Sequence, residues 1–145
     1  MGPDFAEQDS AHNCGSNIFT VQAVQPAVQK PNFQVHIDSL APKAGAAGTY
    51  IASGRTTNAG NVNAAASYTL MWMDYQSDMI ADAASYKSTN ALMPGQSHIF
   101  QWEIGSVPAG THIFHMCADR SYIGSTTITE SNEADNCAEI SFTAP

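Results

Sequence analysis

Two alternating runs joined by a polar loop constrain this chain more than any other feature. Thr111-His112-Ile113-Phe114-His115-Met116 leads into Cys117, and Ala138-Glu139-Ile140-Ser141-Phe142-Thr143 leaves Cys137. Apolar residues at every second position are the mark of half-buried strands. The loop between them ends in Glu130-Ser131-Asn132-Glu133-Ala134-Asp135-Asn136. Such short polar side chains bond their own backbone nearby and make turns. The pattern predicts two neighbouring strands joined by a long structured loop and stapled by a Cys117–Cys137 bridge. Closing a loop of about 20 residues contributes roughly 3 kcal/mol in the chain-entropy picture.

The rest of the chain repeats the strand signal. Phe33, Val35, Ile37 and Leu40 outline a first strand, and Tyr50, Ala52, Gly54 and Thr56 a second. Residues 67–74 form a third, with Trp72 expected in the core, and residues 79–81 a short edge strand. Residues 97–104 form another before the cysteine-bearing pair. Turn residues punctuate these runs, as in Asn58-Ala59-Gly60-Asn61, Met93-Pro94-Gly95 and Pro108-Ala109-Gly110. Six or seven short strands and no convincing helix predict an all-β, immunoglobulin-like antiparallel sandwich.

Charge narrows the function. Thirteen acidic residues against five basic ones give a net charge of −8 over 145 residues. Five scattered cations build no basic face, which argues against nucleic acid and anionic lipid as partners. No apolar run approaches the length that spans a bilayer, so membrane insertion is not expected. The three cysteines leave two readings open: one bridge plus one odd thiol in an oxidising compartment, or three reduced, buried thiols. The spacing of Cys117 and Cys137 favours the bridge.

Residues 1–30 read as an extension and residues 31–145 as the domain. Within the extension, Glu7, Ala11, Asn13, Cys14, Phe19 and Thr20 recur without a gap as Glu130, Ala134, Asn136, Cys137, Phe142 and Thr143. Subtracting 14 from 137 gives an offset of 123 residues, the size of one domain. This predicts a tandem array, with the extension echoing the last strand of a preceding copy. Cys14 is then the partner of a cysteine in the preceding copy and unpaired here; a bridge to another chain or a swapped bridge to Cys117 are the alternatives. Residues 20–31 alternate and end in prolines; they are an edge strand running into a linker, or a strand offered to a neighbouring chain, in which residues 16–29 would add to a sheet edge through Ile18, Val21 and Val24.

The order Pro31-Asn32-Phe33, Thr56-Thr57-Asn58-Ala59-Gly60-Asn61, Leu92-Met93-Pro94-Gly95-Gln96-Ser97, Pro108-Ala109-Gly110-Thr111, Cys117-Ala118-Asp119 and the Glu-Ser-Asn-Glu segment from 130 resembles the CARDB family, the cell-adhesion-related domains of bacteria and archaea. The resemblance covers residues 31–144. It implies an immunoglobulin-like sandwich, commonly in tandem within large surface or secreted proteins, with no catalytic residues. The location it implies is extracellular or at the cell surface.

Candidate chemistry is sparse. Asp119, Glu130, Glu133 and Asp135 offer carboxylates of the kind calcium takes, but their spacing matches no EF-hand loop. The plainer reading is a loop that bonds its own backbone, with no cofactor. His36 and His98 lie on separate strands, and His112 and His115 share one strand at opposite parity, so scattered surface histidines are the plainer reading than a zinc site. Tyr50, Tyr68, Tyr75, Tyr86 and Tyr122 make either core or a carbohydrate platform. Tyr122-Ile123 is the best candidate for contact with another molecule. No nucleophile–base order or phosphate loop appears, so an enzyme is not expected. The expected function is a non-catalytic extracellular module of a β-sandwich array, with other copies or neighbouring domains as partners. A filament subunit assembled by strand addition, a calcium-dependent binding domain and an accessory domain of a secreted enzyme are the alternatives.

Overall fold

The alternation seen in the sequence becomes seven antiparallel strands in the computed structural model, which describes residues 28–75, 86–120 and 128–145. They are β1 (Phe33–Pro42), β2 (Tyr50–Asn58), β3 (Ser67–Met73), β4 (Tyr86–Thr89), β5 (Ser97–Ile104), β6 (Gly110–Cys117) and β7 (Cys137–Ala144). One sheet has the order β1-β2-β5 and the other β4-β3-β6-β7. Every alternate residue of β2, from Tyr50 to Asn58, is buried, as a period of two requires. The fold is an immunoglobulin-like sandwich.

The core lies between the sheets. Phe33, Ala52, Phe100 and Trp102 from one sheet meet Met73, Phe114 and Met116 from the other. Trp102 meets Phe114 edge-on with centroids 6.3 Å apart, and Tyr50 tilts against Phe142 at 4.8 Å. A Cβ on Gly54 would come within 2.6 Å of Met116 Sδ and 2.8 Å of His36 O, so glycine sets how closely the sheets approach there. Hydroxyls also meet in the core: Thr56 and Thr69 lie 3.0 Å apart across the sheets, and Thr69 and Thr89 2.8 Å apart within one. All three are buried, and each satisfies its neighbour.

Cys117 and Cys137 are directly opposed on β6 and β7 and form the disulfide, with Cα atoms 4.1 Å apart. The bridge therefore closes a loop within one sheet.

One expectation changes, and one strand is added. Trp72 is not a core residue: it is partly buried on the outer face, stacked on His115 at 4.8 Å. It shares a face with Tyr68 and Leu70, while Thr69 and Met73 point inward. The core tryptophan is Trp102. An edge strand forms at Tyr86–Thr89, where no alternation announced one. Residues 79–81, together with Cys14, Ile18, Val21, Val24, Tyr122 and Ile123, lie outside the described residues.

Candidate functional site

The sandwich has two unlike poles. The chain enters at a leading pole, where β1 begins beside the end of β2 and the start of β7. It leaves at a trailing pole, where β1 ends at Pro42 and β7 at Ala144. The acidic loop belongs to the leading pole, and most of its polar groups bond within the protein.

Asn136 is the link. Its Nδ2 donates to Glu130 Oε1 at 2.9 Å and to Glu133 Oε2 at 3.1 Å. Its carbonyl accepts from Ala118 N–H at 2.8 Å. Glu133 Oε1 accepts from Glu130 N–H at 3.1 Å, the backward reach of a capping box. Asn132 Oδ1 accepts from Ala134 N–H at 3.1 Å, an Asx turn. Glu130 Oε2 accepts from Phe33 N–H, which ties the loop to β1. Asp135 adds two ties: its Oδ2 accepts from Asn32 Nδ2 at 3.0 Å, and its carbonyl from Val35 N–H at 3.2 Å.

Burial sets the electrostatics. Glu130 is 4% exposed, and loss of water raises its pKa from an ordinary 4.5 to about 7. Hydrogen bonds from Phe33 and Asn136 oppose that rise; the charges of Glu133 and Asp119 add to it. Asp119 is fully buried, and its Oδ2 accepts from Ile128 N–H at 2.8 Å. Its φ of 50° lies in the left-handed region that Asp tolerates better than most residues.

Asp119, Glu130 and Glu133 thus share one neighbourhood, while Asp135 turns to Asn32. Among the described residues no group of three or more His, Cys, Asp or Glu is placed to hold a metal ion. Two buried oxygens, Asp135 Oδ1 and Asn136 Oδ1, have no hydrogen-bond partner among those residues.

A residue that reads as an ordinary turn former, Asn58, is the hub of this pole. It is fully buried. Its Oδ1 accepts from Asn32 N–H at 3.2 Å and Gly60 N–H at 3.0 Å; its Nδ2 donates to Val62 O at 2.8 Å and Leu92 O at 2.9 Å. Three loops meet on one side chain. Gly60 lets them close, because a Cβ there would lie 2.5 Å from the Pro31 backbone. The local cue was an Asn at the inward parity of β2 just before Ala-Gly.

The described histidines do not converge. His98 Nδ1 accepts from Asn90 N–H at 3.0 Å. His112 sits between Pro108 O at 2.9 Å and Asp74 Oδ1 at 3.3 Å. His115 pairs with Glu139 at 3.4 Å and His36 with Asp38 at 3.7 Å. Of the tyrosines, Tyr50 is core, Tyr68 meets Tyr86 edge-on at 6.5 Å on the outer face, and Tyr75 meets His112 at 5.0 Å.

The trailing pole is built differently. Residues 43–49 turn through backbone bonds, Lys43 N–H to Thr49 O at 2.8 Å and Val107 N–H to Gly48 O at 2.9 Å. Together with Pro42, Tyr50 and Pro145 they line a cavity of about 580 Å³.

No protein-family model matches the sequence, and no curated protein is similar to it. Solved structures are. The CARDB domain of a Pyrococcus furiosus protein, in a crystal complex with di-metal ions, has a TM-score of 0.61 at 14% identity. The match covers 81% of this chain and 96% of that one. The solution structure of the same domain gives 0.60 at 15% identity, over 81% and 97%. A beta-glucosidase from Listeria innocua in complex with glucose gives 0.50 at 9% identity, over 79% of this chain but 16% of that enzyme. At these identities the likeness shows the fold: it is that of the CARDB domains.

Proposed function

We propose, on the premise of a CARDB-type sandwich, that this chain is a non-catalytic extracellular module that spaces or displays neighbouring domains in an end-to-end array. The observation that carries this reading is polar: the chain enters at one pole and leaves at the other. A module strung that way extends an array along its strands, and β1 alone, with its ten residues, is about 33 Å long. The repeat between residues 7–20 and 130–143 supports it. Of the recurring positions, Glu130, Asn136, Cys137 and Phe142 hold the module together, through the loop bonds, the disulfide and the Tyr50 contact. A disulfide suits an oxidising compartment.

Surface shaving of intact producing cells tests the reading, with thiol labelling of the unreduced protein alongside. Release of peptides from residues 86–120, with Cys117 and Cys137 protected from label, is the expected result. Protein retained inside the cell with both thiols labelled would sink it.

A filament built by strand addition is the second reading. The edge strand β5 favours it, since its exposed Ile99 flanks a sheet edge open to an added strand. Ile18, Val21 and Val24 would supply that strand. The unpartnered Asp135 and Asn136 oxygens keep a calcium test worthwhile. No heat and an unchanged melting temperature on adding calcium to chelator-treated protein would remove the metal.

A further inference from the structure

The two poles present unlike surfaces, a recess at one and exposed apolar side chains at the other. At the trailing pole the cavity of about 580 Å³ is walled by small residues of the 43–49 turn and by Pro42, Tyr50 and Pro145. At the leading pole two apolar side chains stand in solvent: Val28 is 66% and Met93 55% exposed. Both are tied to the leading pole. Val28 O accepts from Asn61 Nδ2 at 3.4 Å, and Met93 N–H donates to Gln96 Oε1 at 2.9 Å. Apolar side chains standing in solvent lose water exposure when a partner covers them.

Chain length says what meets the cavity. By the 123-residue offset, Gln22 stands where Pro145 stands in the next copy. Residues 22 to 28 span at most about 20 Å when fully extended. That is shorter than the module itself, so the trailing pole of one module must lie beside the leading pole of the next. We propose that the trailing-pole cavity seats the leading pole of another module of this type, with Met93 as the plug. Methionine suits a shallow, irregular seat because its unbranched, polarizable side chain adapts to shape. The contact is heterologous, so it propagates as an open chain instead of closing into a dimer. It is also small and therefore weak; short linkers supply millimolar effective concentrations, enough to keep a weak contact formed. The inference rests on the array reading and names its joint.

The test uses the whole chain, with methyl NMR between micromolar and millimolar protein. The Met93 and Ala47 methyl signals should shift together with concentration, while buried Met73 stays fixed. Met93→Asp and Ala47→Trp should each weaken self-association by on the order of tenfold or more. Mixing the two variants should restore it, but only as a one-to-one pair, because each retains a single working pole. That rescue also shows both variants are folded. A wild-type chain without concentration-dependent shifts at millimolar protein overturns the joint, and so does a mixture that fails to pair. Association indifferent to both variants but lost on substituting Ile18, Val21 and Val24 with Asp overturns it in favour of strand addition. Cell-surface exposure tests the array reading separately and is unaffected by either pole variant.

Discussion

The leading and trailing poles close the same sandwich by different means. At the leading pole, buried side chains reinforce backbone bonds such as Ala59 N–H to Asn32 O: Asn58, Glu130, Asn136 and Asn32 bond backbone and one another. At the trailing pole, backbone closes on backbone through residues 43–49 and Val107, with the exposed Lys43–Glu103 ion pair beside it. A pole made of buried side-chain bonds depends on particular residues, because each lost partner leaves a desolvated group behind. A pole made of backbone bonds accepts most side chains that fit the turn.

That contrast can be broken most sharply at Asn58. Asn58→Ala removes one buried acceptor and donor pair serving four backbone groups. A loss of about 4 kcal/mol, or failure to fold, is expected in urea denaturation. A loss below about 1 kcal/mol would mean that water replaces the hub and the pole is not side-chain built.

The disulfide ranks next. Cys117→Ala with Cys137→Ala frees a loop of sequence separation 20, for about 3 kcal/mol of lost stability by the same measurement. The loop bonds between Glu130 and Asn136 should survive, since they do not pass through sulfur.

The Glu130 effect is smaller and depends on pH. Its pKa is about 7 in the fold against an ordinary 4.5, so the folded protein keeps a proton that the unfolded chain releases. The contribution is therefore full below pH 4.5 and is lost as pH rises toward 7. Melting temperature should fall across that window in the wild type. In Glu130→Gln the slope should flatten, on a lower baseline, because the amide presents a donor where two donors already converge. A wild type that instead gains stability through the window would show the carboxylate to be ionised in the fold.

The smallest effect belongs to the other pole. Ala47→Ser should change stability by less than about 0.5 kcal/mol, since Ala47 is exposed and its turn is held by backbone. A larger loss would erase the distinction between the poles.

Local pattern alone determined much of this protein. Alternation placed β1, β2, β3, β5, β6 and β7, and the two cysteines flanking a polar loop fell opposite each other on β6 and β7. The asparagines and acids of residues 130–136 were legible as a loop that bonds itself, because Asx turns and capping boxes act over two or three residues. Tertiary structure alone decided which face of β3 is inside. A period of two fixes that Trp72 and Met73 oppose each other, but is symmetric between core and solvent. The second sheet breaks the symmetry: Met73 and its β6 partner Phe114 turn toward it into the core, and Trp72 stays outside, stacked on His115. It also decided that Asn58 is a hub and that Asp135 answers Asn32. Those bonds join residues 26 and 103 positions apart, a separation over which no sequence pattern carries information and only the packed sheets bring donor to acceptor.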